Sequence, residues 1–339
     1  MDSEIRYSRL SRYAPLGRVL PAWQQSHCVV IGLGGLGSGL SMQLTRFGVR
    51  RITLIDRDTV GFENLGHQSL FTTSHAEAGL PKVQAAAGML AAINPAVELD
   101  PQFADLSRHN IAELCAGATL LFDGLDSYFT RYIVNDYALQ SSTPWLSAGV
   151  VRGELSVRAV VPGVTGCLRC LLPDPPPPGS VPTCSAEGVF GPLLNVANAI
   201  QLEQAGRILA GEFTADDDAM YSLELPDWRI LRLQLSGPAR SCPACNGSYD
   251  FLSGRFDQQA AAACSDGRFE LELGSAIDIK GLAAGLSAET GWEVRPNRWC
   301  LVADLGAERY TIFPNGRLVL SGTQDGSRLN HFAAQWLGL

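Results

Sequence analysis

The sequence predicts an α/β protein: a Rossmann-like doubly wound sheet, mostly parallel with an antiparallel extension, plus a small α+β C-terminal module. Three observations predict it. Residues 28–32 (CVVIG) form a short apolar run stopped by glycine, the pattern of a strand buried on both faces. Gly32, Gly34 and Gly37 then satisfy G-x-G-x-x-G and open into helical spacing over 38–47, which Gly48 stops. Residues 50–58 (RRITLIDRD) supply a second strand rich in β-branched side chains, closing a βαβ unit with the glycine loop at its first turn.

The remaining elements follow in order. Residues 1–25 are polar and basic and read as a helical arm ahead of the fold. KVQAAAGMLAAI (82–93) is a helix that Asn94-Pro95 ends. ATLLFDGLD (118–126) is another buried strand, ending in acidic residues, and LSVRAVVP (155–162) alternates as an antiparallel strand does. The run PDPPPPGSVP (173–182) is a loop, because proline fixes φ and lacks the N–H donor. Residues 193–211 form a long amphipathic helix closed by glycine. After Cys245 the composition turns polar and Gly/Ala-rich, and YTIFPNGRLVLSG (310–322) is a hairpin turning at Asn315-Gly316. The expected organisation is an arm at 1–25, a nucleotide-binding domain at 26–250 and a small α+β domain at 251–339.

Bulk properties narrow the class. A chain of 339 residues is expected to hold about two domains, and 46% hydrophobic with 18% charged residues is ordinary for a globular protein. A net charge of −8 argues against non-specific nucleic-acid binding, which needs a cationic face. The N-terminal segment carries no apolar core of a signal peptide, and no run approaches the ~18 apolar residues of a membrane span. Nine cysteines, several in Cys-x-x-Cys pairs, fit a reducing cytoplasm with thiolate or metal chemistry better than a disulfide framework.

The glycine loop suits phosphate, because only glycine lets backbone approach it closely and a helix N-terminus favours its charge. The loop alone is also compatible with a nicotinamide cofactor or with a merely tight turn. Asp56, Asp58, Asn64, Gln68, Lys82 and Asp126 lie at the carboxyl ends of predicted strands or in the loops behind them, the edge where open α/β sheets bind ligands. Singly, each reads first as a solvated surface group, and the case rests on the series. As a series they suit a nucleoside triphosphate, with lysine neutralising phosphate and a carboxylate positioning Mg2+. Cys167-x-x-Cys170 and Cys242-x-x-Cys245, 71 residues apart, each suit two thiolates on one tetrahedral ion. Four sulfurs leave no open position, so the site they describe is a structural Zn2+; reduced, metal-free pairs are the alternative. Cys184, in a loop ahead of a helix, is either a reactive thiolate or an inert small residue.

The series resembles the ThiF/MoeB-type adenylyltransferases, bacterial relatives of the ubiquitin-activating enzymes. GLGGLGS (32–38), LIDRDTVGFENLGHQ (54–68), LPKVQAA (80–86), FDGLDSYFTRYIVND (122–136) and RYSR (6–9) carry the resemblance, which runs from about residue 5 to 248. It implies that Gly34, Gly35 and Gly37 lie against ATP and that Asp56 binds ribose. Asn64 and Lys82 would address the triphosphate, with Asp58, Gln68 and Ser127 also in the nucleotide site; Asp126 would hold Mg2+, and Arg9 would act in the partner subunit's site of a homodimer. It also places Zn2+ on Cys167, Cys170, Cys242 and Cys245. His67 stands where the family carries arginine, which implies a weaker or pH-dependent phosphate contact, with Arg131 as a compensating cation.

The reaction implied is attack of a carboxylate on the α-phosphorus of ATP with release of pyrophosphate. The carboxylate would be the Gly-Gly tail of a small ubiquitin-like (β-grasp) carrier protein, the proline-rich loop would cover that tail, and a thiocarboxylate would form through Cys184. No rhodanese-like domain is recognisable, so sulfur would come from a separate donor. Cys264 has no readable role. Other readings are a different carboxylate or tRNA acceptor, a catalytically weak scaffold subunit, and an NAD-dependent oxidoreductase sharing only the βαβ unit.

Overall fold

A computed structural model describes residues 2–176, 180, 187–256, 268–273, 275–289, 291–323 and 325–338. The chain divides into two units, Met1–Thr73 with Pro81–Asp257, and Ser74–Leu80 with Gln258–Leu339. In chain order the arm forms α1 (Asp2–Arg12) and α2 (Ala14–Trp23). Then come β1 (His27–Ile31), α3 (Gly35–Phe47), β2 (Arg51–Asp56), the short α4 (Thr73–Glu77), which past Thr73 belongs to the second unit, and α5 (Lys82–Ile93). β3 (Glu98–Phe103), α6 (Ile111–Leu114), β4 (Leu120–Asp123), α7 (Tyr128–Ser141), β5 (Trp145–Val151) and β6 (Glu154–Val160) follow. α8 (Leu168–Leu171), α9 (Pro192–Leu209), β7 (Ala219–Glu224) and β8 (Arg229–Gln234) complete the elements of the larger unit.

Its sheet has eight strands in the order β3-β2-β1-β4-β5-β6-β7-β8. The first five pair in parallel and β6, β7 and β8 extend them antiparallel, as the sequence predicts. Every residue of β1 and β4 is buried, which explains their unbroken apolar runs. Trp145 and Ala148 sit on opposite faces of β5 and belong to different cores. Trp145 packs with Val29, Ile31, Tyr132 and Phe251, and Ala148 with Leu36, Val150, Leu193 and Ala197 of the face that α9 covers. Because β2 and β4 flank β1 while β3 lies outside β2, the strand order reverses at β1, and a crevice opens at the carboxyl ends of β1 and β4.

Two boundaries differ from the sequence expectation for a steric reason. α3 begins at Gly35 rather than at 38, because the glycines form its first turn instead of a loop before it. The strand expected at 118–126 ends at Asp123, where Gly124 is pressed against the backbone of Gly32. Gly48 (φ 73°) caps α3 in the left-handed region, as a helix-stopping glycine should. Of the proline-rich loop, 173–176 carry neither helix nor strand, and 177–179 and 181–182 lie outside the described residues, as do Cys184 and Cys264.

The second unit contains β9 (Arg268–Glu272), α10 (Ile279–Ala288), β10 (Glu293–Pro296), β11 (Leu301–Leu305), β12 (Glu308–Ile312), β13 (Arg317–Ser321) and α11 (Ser327–Leu337). The strands form one antiparallel sheet, and Leu286, Leu301, Ile312, Leu320 and Phe332 centre its own core. β12 and β13 turn through Asn315-Gly316, with Gly316 at φ 94°, the hairpin read from the sequence. Among the described residues no helix is long and apolar enough to cross a membrane.

Candidate functional site

The crevice is built by three glycines whose side-chain positions are already filled. A Cβ on Gly37 would stand 1.8 Å from Gly32 O, and one on Gly124 would stand 2.4 Å from the same atom. Gly32 itself has φ 87°, open in practice only to glycine. Gly34 is different: a Cβ there would meet nothing nearer than Gly124 O at 3.7 Å, ordinary contact. The protein's own packing does not demand glycine at 34, and the bare backbone there leaves room for a group that approaches it. Gly34 also caps α3 with no side-chain hydrogen bond, leaving the helix N-terminus able to receive an anion.

Around this turn the polar series converges. Asp56, at the end of β2, accepts the N–H of Leu33 at 2.6 Å on one carboxylate oxygen and that of Asp58 at 2.7 Å on the other. Its first task is therefore to pin the glycine loop, with one lone pair per oxygen left over. Burial pushes its carboxyl above the ordinary range, and the Lys82 ammonium opposes that shift. Lys82, the first residue of α5, is buried, with Nζ 3.2 Å from Asp58 Oδ2 and its N–H donating to Asp58 O at 2.9 Å. Asn64 ends a short 3-10 turn and accepts the Gly61 N–H at 2.8 Å. His67 lies against Gly35: its Cδ2 is 3.3 Å from where a Gly35 Cβ would stand. Burial first, and then Lys82, lower its pKa. Gln68 Nε2 is 3.5 Å from His67 Nε2, while Gln68 Oε1 is buried with no hydrogen-bond partner. A cation, an uncapped helix and an unsatisfied amide in one crevice can hold a polyanion with its counter-ion.

The floor behind Gly124 depends on a residue that the sequence reading did not single out. Asp123, the last residue of β4, is fully buried and stands 2.9 Å from Arg131 Nε. It also accepts the Leu125 N–H at 2.8 Å and the Ser147 hydroxyl at 3.3 Å. Arg131 Nη2 donates to Leu125 O at 2.6 Å and Ala148 O at 2.7 Å. Arg131 is thus anchored to the floor, Nε by the Asp123 carboxylate and Nη2 by two fixed carbonyls. Asp123 carries a readable signal, a carboxylate closing an apolar strand on the ligand-binding edge of the sheet. Asp126 is exposed in the loop above, and Ser127 caps α7 by accepting the Thr130 N–H at 3.4 Å. Arg9 is exposed on α1.

At another corner of the same unit Cys167, Cys170, Cys242 and Cys245 converge, all four sulfurs within 4.8 Å of one another. Sγ–Sγ distances are 3.5 Å (167–242), 3.8 Å (167–170) and 3.5 Å (170–245). A tetrahedron with ~2.3 Å metal–sulfur bonds has edges of about 3.8 Å, so the donor set fits one Zn-sized ion. Cys28, Cys115 and Cys300 are buried, and burial pushes the first two thiols to about 12 and the third to about 11, which makes them inert.

Comparison with known proteins agrees with this layout. The model of the ThiF family matches residues 9–244. A sulfur carrier protein ThiS adenylyltransferase of Bacillus subtilis (strain 168) is 32% identical over 344 residues, covering 98% of this chain and 99% of that one. A sulfur carrier protein adenylyltransferase of Thermus thermophilus is 35% identical over 216 residues, 62% of this chain and 78% of that one. Among solved structures, Escherichia coli MccB with ATP superposes with a TM-score of 0.61 over 71% of this chain and 74% of that one. At 22% identity that likeness speaks for the fold alone.

Proposed function

The chain belongs to the ThiF family, and from that premise we propose that it uses ATP to adenylate the C-terminal Gly-Gly carboxylate of a small ubiquitin-like sulfur-carrier protein. The observation that carries the nucleotide part is the uncapped glycine turn at Gly34 facing a crevice that also holds buried Lys82. Relatives support the acceptor: the Bacillus subtilis protein is named for the carrier ThiS, and a Haloferax volcanii relative is named a SAMP-activating enzyme E1.

In this reading Gly34, Gly35 and Gly37 cradle the phosphates, and Asn64, His67, Gln68 and Lys82 line them. Asp56 receives the ribose hydroxyls on its spare lone pairs, and Asp58 keeps Lys82 aimed. Mg2+, when bound, neutralises phosphate charge, and exposed Asp126 beside Ser127 offers the hard oxygen ligands it prefers. The carrier carboxylate, already ionised, attacks the α-phosphorus; a new P–O bond forms as the bond to pyrophosphate breaks, and no general base is required. Catalysis is then in-line positioning with charge neutralisation. Arg9 of a second copy completes the site; the carrier's acyl group then passes to the Cys184 thiolate as AMP leaves, and sulfide from a separate protein displaces that thiolate to leave the thiocarboxylate. Zn2+ on the four cysteines pins the chain leaving β6 to the chain returning after β8.

Exchange of radiolabelled pyrophosphate into ATP, with Gly-Gly-ended carriers offered one at a time, tests this directly. Carrier-dependent exchange is expected, falling about a hundredfold or more in Asp126→Ala. Tight NAD binding, with no exchange for any carrier, would sink the reading.

A further inference from the structure

Arg158, on β6, is a buried cation that its one carboxylate partner holds only loosely. Its side chain is 6% exposed and that of its partner Asp218 is 0% exposed, yet the two approach only to 3.5 Å. Arg158 Nε is buried with no hydrogen-bond partner. A guanidinium taken out of water is costly unless fully paired. Its other contacts belong to the four-thiol corner: it donates to Gly166 O and, at 3.4 Å, to Cys167 O.

Asp218 joins the same corner from the other side. Its Oδ2 accepts the Gly166 N–H at 3.0 Å and the Gly237 N–H at 2.9 Å. Gly166 immediately precedes the first cysteine pair. Gly237 leads toward the second through Ala239, whose N–H donates to Cys170 Sγ at 3.3 Å. A Cβ on Gly166 would stand 2.8 Å from Gly237 O, so the two arms pass in backbone contact beside this carboxylate.

We propose that Arg158 and Asp218 form a clasp for the metal site: Asp218 ties the two cysteine-bearing arms together with or without an ion, and Arg158 offsets the charge left on the loaded site. Only the Arg158 half rests on the zinc reading. Four thiolates around a divalent ion keep a net double negative charge, which a buried corner tolerates only beside a cation. Arg158 is a positioning and charge-balancing residue there; it touches no substrate.

The test uses the full chain, purified and assayed for bound metal, with release of the ion followed by a colorimetric chelator. Arg158→Met should release it about tenfold or more faster, the scale on which partners of metal ligands act, and Arg158→Lys should stay within about threefold of wild type. A packing role alone would lower Tm equally with and without metal. The clasp predicts that Arg158→Met narrows the Tm gap between loaded and metal-free protein, and an unchanged gap overturns the Arg158 half. For Asp218, iodoacetamide alkylation of Cys170 and Cys245 in metal-free protein should accelerate severalfold in Asp218→Ala. If that variant does not fold, Asp218→Leu, close to aspartate in shape but without an acceptor, takes its place. Unchanged alkylation in a folded variant overturns the Asp218 half. A wild-type chain that takes up no divalent ion removes the zinc reading and the Arg158 half together, while alkylation still decides Asp218.

Discussion

The crevice at β1 and β4 and the four-cysteine corner lie in one unit and use buried polar groups in opposite ways. In the crevice, bonds are left unmade: Gln68 Oε1 is buried and unsatisfied, the N-cap of α3 carries no side-chain hydrogen bond, and a Cβ at Gly34 would meet nothing closer than ordinary contact. At the corner, polar groups are mostly spent on each other, with Asp218 serving two amides and Ala239 N–H reaching Cys170 Sγ. The contrast teaches where a substitution should be felt. Unmade bonds cost stability and await a ligand, so changes in the crevice should cost chemistry more than fold. Changes at the corner should cost fold first.

The largest expected effect tests the corner. Cys242→Ser removes one of four sulfurs, and a structural site of this kind contributes folding energy outright. The melting temperature of the larger unit, read by calorimetry, should fall on the order of 10 °C, and chelator treatment of wild type should approach the same value. Exchange activity lost at an unchanged Tm would put the corner on the chemical side and break the contrast.

Next comes a pair of alanines three residues apart. Gly37→Ala drives a Cβ to 1.8 Å from Gly32 O and should cost both fold and exchange. Gly34→Ala meets only Gly124 O at 3.7 Å, so Tm should stay within about 2 °C while exchange falls about a hundredfold, the loss typical of one phosphate-stabilising contact. If the two variants lose Tm equally, the bare backbone at Gly34 serves the fold and not a ligand.

Which parts of this contrast the sequence disclosed follows from range. The βαβ unit, α5, α9 and the hairpin at Asn315-Gly316 are written in local periodicity and turn chemistry, and the structure has them where those patterns put them. The convergence of two cysteine pairs 71 residues apart was also legible, because thiol spacing is itself a signal. Pairings between distant side chains were not. Arg131 looks like a free cation in sequence, and only the fold shows it held by Asp123, Leu125 O and Ala148 O. The inclusion of Ser74–Leu80 in the second unit leaves no mark in composition either. Arg158 and Asp218 are unremarkable letters until β6 and β7 bring them beside the thiols.

The smallest effect expected falls on His67, and it distinguishes fold from chemistry by sign. Burial, and then Lys82, hold its imidazole below the ordinary 6.5, with Glu63 pulling weakly the other way. In the unfolded chain it returns to about 6.5, so the unfolded state binds more protons between that pH and the lower folded value. The stability contributed by His67 is therefore whole above pH 6.5 and declines as pH falls through that window. A triphosphate beside Gly35 acts oppositely, because an anion favours the imidazolium, so binding takes up a proton and tightens as pH falls. Titration calorimetry in buffers of different ionisation enthalpy should show that uptake, with affinity about two- to fivefold higher at pH 6 than at pH 7.5. His67→Asn leaves only the proton that the nucleotide itself takes up and should flatten the remainder. Equal pH dependence in the two proteins would remove His67 from the phosphate site and leave it as one more half-buried side chain of the fold.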